Sequence, residues 1–322
     1  MNRNITIDIM KGIAILAVIA GHSIPFDCLG NQLIHSFHMP LFFIVAGYLY
    51  KPNYSYKNKF ISDFRRLIIP YLCIAICFTL YLLIKEPNNF FALKYSLIAT
   101  FWATGWNHFS LLWSKAPHIG IAWFLPSLFW CRQVFNFIYT RTMHRWVIVI
   151  GISFIATITD YYLINLPLGL LTGFSAIIFY QIGNYAHSIK KSDRYWLILG
   201  AICWLLQLKY FGINMCFCFY GFYPVDVIGA SFATAVIYYI SCYFSNSRIG
   251  KFIGSIGKVS LYIYCFHAIE NEIKPYEWLG LEDVWYIKVP LRATLCVTTA
   301  FAYLMLKERL AKLHAKTSAD KT

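Results

Sequence analysis

Long apolar runs, separated by short polar segments, recur along the whole chain. Each run covers about 17–22 residues, the length that carries a helix across the hydrocarbon core of a bilayer. Apolar and polar residues do not alternate within the runs, so the pattern predicts helices rather than the strands of a barrel. Ten spans fit best, at residues 5–25, 35–51, 66–85, 119–139, 145–163, 168–187, 195–210, 225–244, 258–274 and 285–307. The predicted fold class is therefore an all-α, polytopic integral membrane protein.

The composition excludes a soluble domain. The chain is 59% hydrophobic and 13% charged, with a mean hydropathy of +0.56, whereas soluble domains carry about 25% charged residues. A formal net charge of +14 would suit a nucleic-acid partner. However, the basic residues lie in short clusters between apolar runs, as the positive-inside rule requires, and we therefore predict no nucleic-acid binding.

The distribution of Lys and Arg predicts the orientation. With the N-terminus in the cytoplasm, 19 of the 28 Lys and Arg fall in cytoplasmic segments and 5 in external ones, so both termini are predicted to be cytoplasmic. A full span at 89–105 would invert every later segment, so this run is assigned to an external interfacial or re-entrant helix. Residues 1–310 are predicted to form one transmembrane domain, followed by a short basic cytoplasmic tail at 311–322.

The first span carries three ionisable side chains. Asp8, Lys11, Ile15, Val18 and His22 follow spacings of three and four residues and share one helical face. Lys11 and His22 are eleven residues apart, roughly 16 Å along a helix. Because ionisable groups within spans usually face a cavity or a partner, we predict a polar track along this face, with Asp8 paired to Lys11. The alternative is juxtamembrane charges and an interfacial histidine.

Three further histidines extend this pattern. His35 and His38 follow a short outer loop, which puts them at the same external level as His22. His267, in the ninth predicted span, could face the same cavity or be a hydrogen-bonded core residue. A neutral histidine can take a proton from a hydroxyl and return one to a leaving group, and a second can orient it or bind substrate. A zinc site remains an alternative if the histidines converge, although no spacing is diagnostic.

The last two predicted spans carry buried charges of opposite sign. Lys288 and Arg292 share a face, four residues apart, and Glu270 and Glu272 lie at the outer end of the ninth span. We interpret these residues as ion pairs between neighbouring spans.

Two stretches near the N-terminus carry a family resemblance. "IDIMKGIAILAVIAGH" and "FHMPLFFIVAGYLY" resemble the start of the membrane acyltransferase 3 family, closest to its fucose 4-O-acetylase-like branch. The family signature is a basic residue, ten residues and then histidine, which Lys11 and His22 match. Many members have arginine at the first position, and lysine keeps the charge without the planar fork. Further matches are "AWFLPSLFW" at 122–130 and "GKVSLYIYCFHAIE" at 257–270.

The resemblance implies an O-acetyltransferase in the plasma membrane, by expectation the bacterial inner membrane. Such proteins move an acetyl group from cytoplasmic acetyl-CoA to a sugar hydroxyl of an envelope glycan, such as O-antigen, exopolysaccharide or a lipid-linked precursor. His22 would be the catalytic general base, with Lys11 and Asp8 serving the donor end of the track. Direct transfer and an acetyl-histidine intermediate both stay open, and no metal is expected.

Other residues take weaker roles by the same analogy. The expected substrate-binding residues are His35, His38, His267 and Trp123. Arg65 and Arg66 would bind the phosphates of acetyl-CoA, or else only signal topology. A transporter or glycan flippase is the rival function, but it predicts internal symmetry and charges near the midplane. A non-catalytic scaffold would leave the charged stripe unexplained.

Overall fold

The computed structural model describes residues 4–25, 27–86, 89–110, 113–161, 166–188, 194–210, 212–281 and 284–319. The described chain is helical almost throughout, and the only strands in it form two short antiparallel pairs. The all-α prediction is therefore confirmed.

The elements follow one another with short connections. The α-helices are α1 Ile5–Gly21, α2 Leu29–Tyr48, α3 Tyr56–Asp63, α4 Ile69–Lys85, α5 Phe90–Trp102, α6 Phe124–Arg141, α7 Arg145–Tyr161, α8 Leu170–Ser175, α9 Ile177–Ala186, α10 Arg194–Tyr210, α11 Tyr223–Phe244, α12 Arg248–Lys258, α13 Ser260–Ile273 and α14 Trp285–Ala319. A π-helical turn, Phe64–Ile68, joins α3 to α4, and a 3₁₀ turn, Gly120–Trp123, precedes α6. The strand pairs are β1 His108–Ser110 with β2 Trp113–Ala116, and β3 Ile213–Asn214 with β4 Phe219–Tyr220.

Close helix contacts at glycines hold the N-terminal helices in place. The helix α1 packs most extensively on α12, where a Cβ added at Gly257 would lie 1.7 Å from the Asp8 carbonyl oxygen. The helices α2 and α9 meet in the same way, since a Cβ at Gly47 would lie 1.9 Å from the Tyr180 oxygen. Gly183 has the reciprocal contact with Ile44. These approaches bury backbone against backbone, which is how small residues pack membrane helices.

Fewer helices meet the requirements of a complete span than the ten that the sequence predicts. Within the described part of the chain, three helices are long and apolar enough, Tyr56–Lys85, Tyr223–Phe244 and Trp285–Leu313, and the pair α12 and α13, bent by 67°, would make a fourth. Phe90–Trp102, Arg145–Thr159 and Tyr195–Tyr210 are apolar but shorter, and the predicted span 168–187 is divided into α8 and α9. The ten-span arrangement and its orientation therefore stay predictions.

Segment 89–105 contains one short helix. The 13 residues of α5 pack against α4, and the Tyr71 hydroxyl donates to the Thr100 carbonyl at 2.6 Å. Thirteen residues rise about 20 Å, too little for a perpendicular span. At the other end of the chain, the proposed boundary at residue 310 falls inside α14, which continues to Ala319.

Candidate active site

The N-terminal half of α1 carries an ion pair beside a cavity. The helix begins after Asn4, whose side-chain oxygen accepts from the Thr6 amide as an N-cap. Lys11 Nζ lies 2.7 Å from Asp8 Oδ1, so the predicted pair forms, and the Asp8 side chain is buried. Lys11 then presents its ammonium group to the cavity between α1, α2, α6 and α13.

This cavity has a volume of about 200 Å³, and its lining combines positively charged side chains with apolar ones. Its polar lining residues are Lys11, Arg66, Arg132, Ser260 and Tyr264. Three positive groups converge on a space in which aliphatic and aromatic side chains supply most of the wall. That combination suits a ligand with an anionic head and a less polar extension.

The buried carboxylate of Asp63 holds Arg132, one of the three positive groups of this cavity. Asp63 Oδ1 accepts from Arg132 Nε at 3.0 Å and lies 2.8 Å from Arg132 Nη2, and Asp63 Oδ2 accepts from Gln133 Nε2 at 2.8 Å. Lys59 also forms an ion pair with Asp63. Two nitrogens of one guanidinium on the same carboxylate oxygen hold its orientation, so Arg132 lines the cavity in a defined position.

Arg65 and Arg66 lie on the π-helical turn between α3 and α4. Both side chains are exposed. Arg66 lines the first cavity and also an adjoining, more open cavity of about 410 Å³, which Arg65, Asn58 and Ser62 share. The two arginines expected to bind the donor therefore stand at the mouth of the cation-lined cavity.

The C-terminal end of α1 meets the other histidines. The ring centroids of His22 and His267 are 5.7 Å apart, and those of His35 and His38 are 4.9 Å apart. Gly21 allows this approach, because a Cβ there would lie 3.2 Å from His35 Cε1. The four histidines, 245 residues apart at the extremes of the sequence, thus gather at one end of α1, as the sequence suggested.

Backbone carbonyls fix the tautomers of the two α2 histidines. His35 Nδ1 lies 3.0 Å from the Asn31 oxygen, and His38 Nδ1 lies 2.8 Å from the Ile34 oxygen. A carbonyl only accepts, so each Nδ1 carries the proton and each Nε2 is the unprotonated nitrogen of the neutral ring. Asn31 in turn donates to the Gly21 and Ile24 carbonyls at 2.9 Å, which ties α2 to the end of α1.

A buried ion pair joins α13 and α14 beside these histidines. Arg292 donates from Nε and Nη2 to the Glu270 carboxylate at 2.9–3.0 Å, so the predicted pairing between the last two spans forms through these residues. Its Nη1 donates to the His22 carbonyl at 2.7 Å and to Ser23 Oγ at 3.0 Å. His267 Nδ1 lies 3.1 Å from Glu270 Oε2. One guanidinium therefore anchors both the end of α1 and the carboxylate that holds His267.

A comparison with family models decides what kind of protein carries this arrangement. The model described as "Acyltransferase domain" matches residues 4–305, nearly the whole chain. The chain belongs to the acyltransferase 3 family. As members of this family are membrane proteins, it is a membrane acyltransferase. No curated protein and no solved structure matches it.

In this acyltransferase the face of α1 between Lys11 and His22 packs into the core as an apolar layer. Ile15 and Val18, on the face of α1 between Lys11 and His22, are buried in the core. The Phe124 ring lies 5.5 Å from that of Tyr264, and Tyr264 donates its hydroxyl to the Ile121 carbonyl. The middle of the predicted track consists of these two buried apolar side chains, and a polar path from Lys11 to His22 stays a prediction.

Trp123 lies in the hydrophobic core rather than on a surface. Its side chain is buried, packs on Phe124 and closes off the space beside Gly105. A sugar ring would have to displace those neighbours to stack on the indole.

Among the described residues, one group of side chains has ligand atoms close enough together to hold a metal ion. The ligand atoms of His267, Glu270 and Cys296 lie within 4.8 Å of one another. However, both Glu270 oxygens accept from Arg292, whose positive charge opposes a cation there. These residues fit an ion pair better than a metal site.

Sequence reasoning missed Asp63, Arg132 and Asn31 as parts of the site. Asp63 and Arg132 are 69 residues apart, and only the fold brings them together. The signal available was Arg132 itself, a charge within an apolar run and hence a residue that needs a partner.

Proposed function

We propose that the acyltransferase transfers an acetyl group from cytoplasmic acetyl-CoA to a sugar hydroxyl of a cell-envelope glycan, in the manner of the fucose 4-O-acetylase-like branch. The supporting observation is the division of α1, with a cation-lined cavity at Lys11 and a histidine cluster at His22. These two residues are eleven positions apart, about 16 Å along the helix. A donor with charged phosphates at one end and a reactive thioester at the other spans such an arrangement.

The cations serve the donor in this proposal. Arg65 and Arg66 at the mouth, with Lys11 and Arg132 inside, bind the phosphates of acetyl-CoA through charge-assisted hydrogen bonds. The apolar wall of the cavity, which includes Phe42, accommodates the pantetheine arm. The donor then enters from the side of the membrane that holds the N-terminus of α1.

His22 acts as the general base. His22 as a residue is only partly buried, whereas His267 is fully buried, so His22 is the more accessible of the two to a substrate. It takes the proton of the acceptor hydroxyl, whose oxygen attacks the thioester carbonyl. The C–S bond then breaks, and the proton passes to the departing thiolate of CoA. An acetyl-histidine intermediate would divide the same transfer into two steps.

The membrane arrangement belongs to this proposal. We propose ten spans in the bacterial inner membrane with both termini in the cytoplasm, which puts the cation-lined cavity where acetyl-CoA is found. Reporter fusions at Asn53, Asn107 and Ser192 should read inside, outside and inside. A cytoplasmic Asn107 would contradict the arrangement.

The function is tested by acetyl transfer from labelled acetyl-CoA in membranes containing matched amounts of each variant. His22→Ala and His22→Gln should both lose about 10²–10⁴-fold in rate, because an amide can hydrogen-bond a hydroxyl but cannot accept its proton. Near-normal transfer by His22→Gln would show that the position only binds. Envelope glycan from cells with and without the gene should differ by one O-acetyl group, whereas a flippase would change glycan export instead.

A further inference from the structure

His267 is a buried imidazole with one nitrogen engaged and the other without a partner. Its ring is fully buried, Nδ1 lies 3.1 Å from Glu270 Oε2, and Nε2 has no hydrogen-bond partner among the described residues. A buried polar atom without a partner costs about 1–3 kcal/mol. Such an atom therefore points to a partner that arrives in use.

The tautomer of His267 follows from its neighbours. Glu270 accepts from Arg292, which keeps the carboxylate ionised and therefore an acceptor only. His267 Nδ1 must then be the protonated nitrogen, and Nε2 carries a lone pair. Because Arg292 balances the charge of Glu270, the carboxylate acts on His267 through this hydrogen bond more than through net charge.

The group within reach of that lone pair is His22. Its ring is tilted by 46° to that of His267 with centroids 5.7 Å apart, so a modest ring rotation or one bridging water connects them. Contacts of this kind are often long before substrate binds and tighten afterwards. Arg292 holds the His22 carbonyl and, through Glu270, also His267, which keeps the His22 backbone and the His267 ring at a fixed separation while the His22 ring can still turn.

We propose that His267 is the positioning residue of the His22 base. The lone pair on His267 Nε2 accepts the ring N–H of His22, which leaves the other His22 nitrogen unprotonated and directed towards the acceptor hydroxyl. When that nitrogen takes the proton of the hydroxyl, the hydrogen bond to His267 stabilises the imidazolium until the proton leaves with the CoA thiolate. This inference rests on the proposed function. It adds a chain of hydrogen bonds from Glu270 to His267 to His22, which parallels the carboxylate–imidazole pair of other acyl-transfer enzymes.

Two amide substitutions at His267 separate this role from a structural one. His267→Asn keeps a donor near the position of Nδ1 and so preserves the hydrogen bond to Glu270, but it has no acceptor near Nε2. The longer side chain of His267→Gln supplies an amide oxygen near the position of Nε2 but loses the hydrogen bond to Glu270. A positioning role predicts that kcat falls at least about tenfold more in His267→Asn than in His267→Gln, with an unchanged KM for acetyl-CoA in both. A structural role predicts the reverse order.

The control is His187→Asn, since that exposed ring stacks on Tyr48 outside the cluster and its loss should leave turnover unchanged. Equal turnover of the two His267 variants, or higher turnover of His267→Asn, would overturn the inference while the proposed function stands. If the wild-type chain itself transfers no acetyl group, the proposed function fails and this inference with it.

A third variant covers the case in which neither amide variant folds. His267→Ala leaves a space of imidazole size, so added imidazole should restore turnover in a saturable way. Recovery of thermal stability on adding imidazole, without recovery of turnover, would show that His267 only fills space.

Discussion

Removing Arg292 should destabilise the protein severely, and removing Glu270 with it should cost less than the two losses added together. Arg292 is 1% exposed, and its donors serve Glu270, Asn271, Ser23 and the His22 carbonyl. Arg292→Met leaves a buried carboxylate without its counter-charge, a loss of about 3–5 kcal/mol. Glu270→Gln leaves the guanidinium uncompensated and should cost a similar amount. In the double variant no charge is stranded, so the free energy of unfolding should exceed the additive expectation by about 2 kcal/mol.

The measurement is denaturant unfolding in detergent micelles, followed by tryptophan fluorescence, for the wild type, both single variants and the double variant. Arg309→Met is the control, because Arg309 is an exposed charge on the same helix and its loss should change stability by less than about 0.5 kcal/mol. The reasoning would be refuted if the single losses added to within about 0.5 kcal/mol, or if Arg292→Met cost no more than the control. Either result would mean that water or a neighbouring group already neutralises Glu270.

Three further predictions concern packing and the donor cavity. In Gly47→Ala the added Cβ would lie 1.9 Å from the Tyr180 carbonyl oxygen, so this variant should lower the unfolding free energy by about 1–3 kcal/mol. Gly151 has open space beside it, so Gly151→Ala should raise the unfolding free energy by up to about 1 kcal/mol in the same assay. Asp63→Asn should raise the KM for acetyl-CoA about tenfold, because Arg132 loses its charged partner. An unchanged KM would mean that Arg132 does not bind the donor. Lys11→Ala should reduce acetyl transfer more than Lys11→Arg, since the charge matters more than its geometry, and equal loss at equal protein level would indicate a steric role.

The sequence predicted local features well because they depend on spacing within one helix. Asp8 and Lys11 pair as their separation of three residues requires. The prediction that His22, His35 and His38 lie at the same depth followed from the short loop between α1 and α2. The pairing of Glu270 with Arg292 could also be anticipated, because buried charges of opposite sign occur in consecutive spans.

Helix breaks and distant pairs were not predictable in the same way. A bend of 67° at Val259 leaves the apolar composition of the run unchanged, and hydropathy reports composition rather than direction. The partnership of Asp63 with Arg132 depends on the packing of α3 against α6. The burial of Ile15 was not predictable either, because helical periodicity assigns it to the face of Lys11 and His22 without indicating which neighbours cover it.

The apolar layer has a consequence for the proposed transfer. The phosphates of acetyl-CoA are too strongly hydrated to pass through packed side chains, so only the acetyl-bearing end of the donor would cross towards His22. Phe124 and its neighbour Phe42, whose ring centroids are 5.7 Å apart, belong to the apolar wall of the cation-lined cavity. Turning such a ring requires no buried charge to move, whereas the ion pairs at either end, Lys11 with Asp8 and Arg292 with Glu270, stay in place. A layer that opens only for the donor arm would keep water from the thioester until the acceptor hydroxyl is beside the base.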